Sequence, residues 1–160
     1  MTKQDLMKFC SVDRENLKEP FSRGDFTYAT NGHIAVRIPR LPDVPENSDA
    51  PSNIEILFEK YKGSEYYPIP DVPPIKKVAC YHCDGVGHFK KGNKLECEKC
   101  CGTGKITGRE SFIASGRHYD KKYLFILRDL PNCELSYAPS TDIGHFKFDD
   151  GDGLLMPMRW

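Results

Sequence analysis

The sequence predicts an α+β fold that is interrupted by a short segment of different composition. Strand-like and helix-like patterns occur both before residue 76 and after residue 109. The segment between them contains five of the seven cysteines and six of the thirteen glycines. A chain of 160 residues suits one domain with a small added module. We therefore divide the chain into a first half (1–75), an insert (76–109) and a second half (110–160).

In the first half, the clearest pattern is a β-hairpin over residues 24–37. Apolar residues alternate with polar or small ones on both sides of Asn31-Gly32, and Asn-Gly favours a type I′ turn. A helix is predicted over 54–61, between proline-rich stretches at 39–51 and 68–74. Proline lacks a backbone donor and fixes φ, so these stretches are predicted to be connectors.

The second half predicts the order β-α-β-β-β. A strand-like stretch at 112–115 precedes a helix over 119–130, whose apolar residues recur at helical spacing. Three further strands are predicted at 134–137, 144–148 and 153–158, with a turn at 149–153 between the last two. The first half is interpreted as a looser version of the same unit.

The insert contains two copies of the pattern Cys-x-x-Cys-x-Gly-x-Gly, which begin at Cys80 and Cys97. Zinc prefers four soft ligands in a tetrahedron at ~2.3 Å, and closed four-thiolate sites are structural. Two intervening residues let a tight turn direct both sulfurs at one metal, and glycine accepts the positive φ of such turns. The sequence therefore predicts one zinc ion bound by Cys80, Cys83, Cys97 and Cys100, with a hairpin at 88–96 between the two knuckles.

Other assignments of the cysteines remain open. The pairs could be a redox dithiol, although paired cysteines without a secretion signal indicate a metal site before a disulfide. Cys101 could replace Cys100 as a ligand, and His82 or His88 could replace a thiol. The isolated Cys10 and Cys133 are predicted to be small buried thiols.

In its two repeats, the insert resembles the cysteine-rich zinc domain of DnaJ-type co-chaperones. The resemblance covers about 25 residues and two of that family's four repeats. The His-Pro-Asp signature of the family's J domain is absent from this sequence. The resemblance therefore implies the geometry of the zinc knuckles and not a co-chaperone role.

The insert is basic although the whole chain is neutral. It contains eight basic and three acidic residues, whereas the chain has 23 of each. Lysines can bind phosphates, and the aromatic side chains Tyr81 and Phe89 can stack on bases. The candidate nucleic-acid-binding residues are Lys90, Lys91, Lys94, Lys99 and Lys105. The alternative is that the lysines are only solvated and the zinc only staples the fold.

The second half contains Tyr119, Tyr123-Leu124, Ile126-Leu127, Leu130 and an Asn132-Cys133 corner, and it ends in Leu155-Met156-Pro157-Met158-Arg159-Trp160. In these residues it resembles the last half-domain of the bacterial sliding clamp, the β subunit of DNA polymerase III. That clamp has the same Met-Pro-Met-Arg ending with Leu in place of Trp160. The resemblance implies a single clamp-like domain of two βαβββ-like halves with the zinc module inserted between them.

The clamp resemblance also implies a site for linear peptides at the C-terminal strand. The peptide-binding residues would be Met156, Pro157, Met158 and Arg159. Methionine suits promiscuous apolar binding because it is flexible and polarisable. A clamp ring needs six such domains, so encircling DNA would require a homo-hexamer. The alternative is that this apolar strand simply completes the sheet.

Catalysis is not expected from this sequence. It contains no nucleophile elbow, P-loop, HExxH pair or complete Rossmann motif. His33, His118 and His145 have no evident carboxylate or cysteine partner in the sequence. The aspartates after Phe148 are predicted to form a solvated acidic turn and not a calcium loop.

The expected protein is a non-enzymatic, zinc-binding accessory protein of the cytoplasm that contacts DNA or a replication or repair protein. No stretch approaches the ~20 apolar residues of a membrane span, and the N-terminus has no apolar core of a signal peptide. The alternative is a protein-interaction module, such as an inhibitor of a host defence protein. The composite organisation suggests a phage or mobile-element origin.

Overall fold

The structure is a computed structural model that describes residues 1–88, 95–136 and 143–158. It forms two compact units. The large unit comprises residues 1–71 and the described residues from 111 onward, and the small unit comprises Val72–Glu110. Both strands and helices are present and every described strand pair is antiparallel, which confirms the predicted α+β class.

The helices and strands follow one another along the chain with two intervening 3₁₀ turns, Met7–Phe9 and Glu15–Leu17. In chain order the elements are α1 (Lys3–Leu6), β1 (Phe21–Arg23), β2 (Phe26–Thr30), β3 (Ile34–Pro39), α2 (Ile54–Lys60), β4 (Tyr66–Pro68), β5 (Lys77–Ala79), β6 (Lys105–Thr107), β7 (Ser111–Ala114), β8 (Arg117–Asp120), α3 (Lys121–Arg128), β9 (Glu134–Ser136), β10 (Gly144–Phe148) and β11 (Gly151–Leu155).

Seven strands of the large unit form one sheet in the order β1-β2-β3-β11-β10-β9-β4. Strands β7 and β8 form a separate hairpin, and β5 and β6 form a two-stranded ribbon in the small unit. Paired residues of an antiparallel sheet share a face. One face of the large sheet packs against α2, where Ile54 and Phe58 join Phe21, Tyr28 and Leu154 in a buried cluster.

The hairpin predicted at 24–37 is confirmed as β2 and β3, but its turn is not of type I′. Type I′ requires positive φ at both central residues, and in this turn only Gly32 has it. The Asn31 side chain instead accepts hydrogen bonds from the N–H groups of His33 and Ile34, at 2.9 and 3.2 Å. In the turn between β7 and β8, in contrast, both central residues, Ser115 and Gly116, have positive φ.

The order of the second half differs from the prediction. Residues 117–120 pair with β7, so residues 119 and 120 belong to a strand and not to the predicted helix. The helix α3 begins at Lys121, where the Asp120 side chain accepts a hydrogen bond from Lys122 N at 3.1 Å. The last strand begins at Gly151 and not at 153, because the turn occupies only 149–150. The strand predicted at 134–137 is confirmed for 134–136, and residue 137 lies outside the described residues.

The first half is also not a looser copy of the second. It places β1, β2 and β3 before α2 and only β4 after it. The helix predicted at 54–61 is confirmed to within one residue. None of the helices in the described part of the chain combines the length and apolar character that a membrane crossing requires.

Candidate metal centre

Four buried cysteine sulfurs meet in the small unit. The Sγ atoms of Cys80, Cys83, Cys97 and Cys100 all lie within 4.8 Å of one another. The Cys80–Cys97 and Cys83–Cys100 sulfur separations are 3.9 and 3.8 Å. These separations are nearly twice the ~2.05 Å of a disulfide bond, so the cysteines are free. This cluster could hold a metal ion.

The two sequence repeats form equivalent loops, termed knuckle 1 (80–87) and knuckle 2 (97–104). In each knuckle, the residue after the second cysteine and both following glycines have positive φ. The first of these values is 50° at Asp84 and 48° at Cys101. Positive φ is uncommon for residues other than glycine. Its occurrence at matching positions shows that the two knuckles have the same backbone conformation.

The last glycine of each knuckle donates a backbone hydrogen bond to a cysteine sulfur. Gly87 N lies 3.2 Å from Cys83 Sγ, and Gly104 N lies 3.3 Å from Cys100 Sγ. An N–H group directed at a thiolate stabilises the negative charge that a metal-bound sulfur carries. Each knuckle thus provides two sulfurs and one amide that supports them.

The same glycines join the two knuckles to each other. Cys80 N donates to Gly104 O at 2.8 Å, and Cys97 N donates to Gly87 O at 2.9 Å. A Cβ on Gly87 or Gly104 would collide with a backbone carbonyl of the opposite knuckle. Glycine is therefore required at these two positions both for φ and for space.

The alternative ligands lie outside this cluster. Cys101 is exposed, and its sulfur lies 3.6 Å from Glu98 O. His82 is exposed and His88 is half-buried, and neither is part of a metal-binding group among the described residues. The prediction of a buried thiol is confirmed for Cys133, whereas Cys10 is only half-buried. Desolvation raises the pKa of Cys133 to about 12 and that of Cys10 to about 11.

Without a metal, the pKa values of Cys83 and Cys100 depart from the ordinary value of a thiol in opposite directions. Desolvation alone would raise the pKa of Cys83, but hydrogen bonds from Gly87 N–H and the neighbouring thiols lower it below its ordinary value. At Cys100, desolvation and the contacts with the neighbouring thiols outweigh the hydrogen bond from Gly104 N–H and raise the pKa to about 11. A metal that binds all four as thiolates must therefore displace protons, and acid opposes its binding.

Two of the five candidate lysines lie in the described residues. Lys99 in knuckle 2 and Lys105 in β6 are exposed. Lys105 lies opposite Ala79, and Lys77 lies opposite Thr107, so Lys77 and Lys105 share one face of the β5–β6 ribbon. Lys90, Lys91 and Lys94, together with Phe89 and the proposed hairpin tip, lie outside the described residues.

The predicted peptide-binding residues follow β11. Met156, Pro157 and Met158 are half-buried, and Arg159 lies outside the described residues. Met156 N donates to His33 O and Met158 N donates to His118 O, both at 2.8 Å. Of these three, only Met156 lines the apolar cavity between α2 and the sheet.

Sequence reasoning missed a buried polar network across the large sheet. His145, expected to lack a carboxylate partner, has its Nε2 2.9 Å from Asp152 Oδ2 and its Nδ1 2.8 Å from the Tyr66 hydroxyl. Arg37 donates to both oxygens of Asp152, at 2.7 and 3.1 Å. Its guanidinium also lies over the ring of Phe58, 4.6 Å from the ring centroid.

The acidic turn was thus predicted correctly for only part of its length. Asp149 accepts from Asn132 Nδ2 at 3.0 Å, and exposed Asp150 pairs with the N-terminal ammonium at 2.9 Å. Asp152, in contrast, belongs to a strand and is largely enclosed. Sheet pairing brings it opposite Arg37, which the local sequence does not reveal.

Comparison with known proteins gives no relative for this chain: no protein-family model, curated protein or solved structure matches it.

Substitution of Gly104 by Ala should weaken metal binding, because the new Cβ would push the two knuckles apart. We expect the affinity for Co²⁺, followed by the thiolate-to-metal absorption band, to fall at least tenfold. Gly108→Ala is the matched control, since Gly108 does not have positive φ and a Cβ there would lie 3.4 Å from its nearest neighbour. Equal Co²⁺ affinities in the two variants would contradict the glycine requirement.

Substitution of Asp152 by Asn should destabilise the protein by about 2–3 kcal/mol, because Arg37 would lose its buried counter-charge. Hydrogen bonds from His145 and Arg37 outweigh desolvation and hold the Asp152 pKa below its ordinary 3.8. A lowered folded-state pKa stabilises the fold above the unfolded value, and this contribution is lost as the pH falls below it.

The free energy of unfolding of the Asn variant should therefore fall less steeply than that of the wild type from about pH 5 to pH 3. Urea unfolding at each pH measures this difference. Asp129→Asn, at an exposed carboxylate, should reproduce the wild-type pH profile. Parallel profiles for the wild type and the Asp152 variant would show that Asp152 does not carry this acid sensitivity.

Proposed function

We propose that this protein is a non-enzymatic zinc-binding accessory protein whose small unit contacts nucleic acid. The donor set supports zinc as the metal. A tetrahedron of thiolates with Zn–S distances of ~2.3 Å has sulfur–sulfur edges of ~3.8 Å. Two of the sulfur separations in the cluster are 3.8 and 3.9 Å, and all of them are within 4.8 Å. Four thiolates also select soft or borderline metals over magnesium and calcium.

In this proposal zinc takes the place of a hydrophobic core in the small unit. That unit spans Val72–Glu110, and chains below about 40 residues usually need metals or disulfides to fold. Its buried cluster consists of the four cysteines, with Ile106 packed against them. Bound zinc would thus supply the free energy that orders both knuckles.

The observation that supports nucleic-acid binding is the exposure of lysines in the small unit that have no ion-pair partner. Lys77, Lys99 and Lys105 are exposed, and none of them forms an ion pair within the described residues. Exposed ammonium groups without an ion-pair partner are suited to bind phosphates. The neighbouring Tyr81 is 67% exposed and can stack on a base.

The resemblance of the second half to a sliding clamp supports a role in DNA replication or repair. A clamp-like peptide site at Met156–Arg159 belongs to the same proposal, and encircling DNA would require a homo-hexamer. A second candidate function, a protein-interaction module or inhibitor of a host protein, is favoured by exposed apolar residues of the small unit. Val86 is 42% exposed and Leu95 is 65% exposed.

Native mass spectrometry of protein purified without chelator should show one zinc ion per chain. Cys80→Ser should remove the zinc and unfold the small unit, because three thiolates and a hydroxyl bind zinc poorly. Cys101→Ser is the matched control and should keep the zinc, since this thiol is exposed and lies outside the cluster. A metal-free wild-type chain would overturn the zinc assignment.

Fluorescence anisotropy with a labelled single-stranded oligonucleotide tests whether the small unit binds nucleic acid. Binding should weaken with salt, and each phosphate contact should contribute about −0.7 to the slope of log K against log [salt]. Lys99→Glu/Lys105→Glu should therefore lower the affinity at low salt and flatten the slope by about 1.4. The zinc content of the variant must remain at one per chain.

The matched control is Lys8→Glu/Lys60→Glu, which makes the same charge change at two exposed lysines of the large unit. If both double variants weaken binding equally, the interaction depends on net charge and not on the zinc module. If the wild type does not bind at low salt, the protein-interaction function becomes the better proposal.

A further inference from the structure

The large unit contains an apolar cavity that the proposed function does not use. Its volume is about 220 Å³, and it lies between α2, the β2–β3 turn and the end of β11. The apolar walls include Ile34, Ala35, Leu57, Leu154 and Met156.

The size of the cavity sets the size of a ligand. Apolar cavities of ~150 Å³ in protein cores hold a benzene molecule. At about 220 Å³, this cavity has room for one aromatic ring with a short substituent. Several wall residues, among them Ala35, Leu57 and Met156, are only partly buried, so the cavity opens to solvent.

The charges of the residues that line the cavity determine which substituent the ligand should carry. The lining contains one residue with a permanent positive charge, Arg14, and no carboxylate. Arg14 is exposed, and its guanidinium has no hydrogen-bond or ion-pair partner among the described residues. It lies directly against Gly32 in the β2–β3 turn, where a Cβ would collide with Nη1. This position leaves the guanidinium at the edge of the cavity, ready to pair with an anion.

We propose that this cavity binds a small aromatic carboxylic acid, with the ring between α2 and the sheet and the carboxylate paired with Arg14. Burial of the ring provides most of the affinity, because it removes apolar surface from water. The ion pair with an exposed arginine adds a factor of about two to five. It selects the acid over its neutral and cationic analogues.

Phenylacetate is the test ligand, and its neutral analogue phenylacetamide is the comparison. Protein labelled with ¹³C at the methionine methyl groups reports the site directly, since Met156 lines the cavity and Met7 lies far along the chain on an exposed turn. Phenylacetate should shift the Met156 signal saturably with Kd of about 0.1–1 mM. Phenylacetamide should bind about two- to fivefold more weakly.

Two variants separate the contribution of the Arg14 charge to binding from that of the apolar cavity. Arg14→Gln should bring phenylacetate to the affinity of phenylacetamide, whereas Arg40→Gln, at another exposed arginine, should leave the preference unchanged. Ala35→Leu fills the cavity and should abolish binding of both ligands. If this variant fails to fold by circular dichroism, Met156→Phe fills the opposite wall, and binding is then followed by calorimetry.

The proposal is overturned if phenylacetate causes no saturable shift of Met156. It is also overturned if phenylacetate and phenylacetamide bind the wild type equally, because Arg14 then does not distinguish the acid from the neutral amide. Both outcomes leave the zinc centre untouched, so this test and the tests of the proposed function fail independently.

Discussion

The large unit depends on the antiparallel pairing of β3 with β11. β3 precedes the cysteine-rich segment and β11 follows it, so this pair joins the two halves of the chain near the middle of the seven-stranded sheet. The strand that makes this connection is short and contains Gly151 and Gly153, which weaken a strand in isolation. A Cβ on Gly153 would collide with the ring of Phe146 on β10, so the glycine is retained for close packing.

Alternate residues of β11 and of the segment directly after it also create three other features of the large unit. Leu154 enters the apolar cluster beneath α2, Asp152 links Arg37 to His145, and Met156 closes one side of the cavity. Residues 152 and 154 lie on the same face because the side-chain period of a strand is two. One register therefore fixes the core, the polar network and the cavity wall, and a slip by one residue would remove all three together.

Sequence reasoning was successful where the determining residues are neighbours in the chain. The Cys-x-x-Cys-x-Gly-x-Gly repeats, the 24–37 hairpin and the 54–61 helix are all local patterns, and the structure contains a four-cysteine cluster, that hairpin and that helix. It failed where the partner is distant: Asp152 and Arg37 are 115 positions apart. The β7–β8 hairpin was also missed, because residues 119 and 120 were assigned to the helix, which begins at Lys121, and residues 117 and 118 were left without an element.

The two knuckles have the same backbone conformation, which the metal centre needs, but different side chains at their surface. Their backbones match in hydrogen bonds and in φ, but their exposed side chains do not. Tyr81, His82 and Val86 of knuckle 1 correspond, seventeen positions later, to Glu98, Lys99 and Thr103 of knuckle 2. Metal binding alone would be satisfied by either set, because the metal-binding group consists of the four cysteines alone.

Tyr81 and Val86 are 67% and 42% exposed, and the metal centre does not require either side chain. The sequence keeps them on knuckle 1 and replaces them by polar residues at the equivalent positions of knuckle 2. Metal binding alone does not require that asymmetry. In the proposed function, a partner would contact the two knuckles differently, with an aromatic and apolar contact at one and a charged contact at the other.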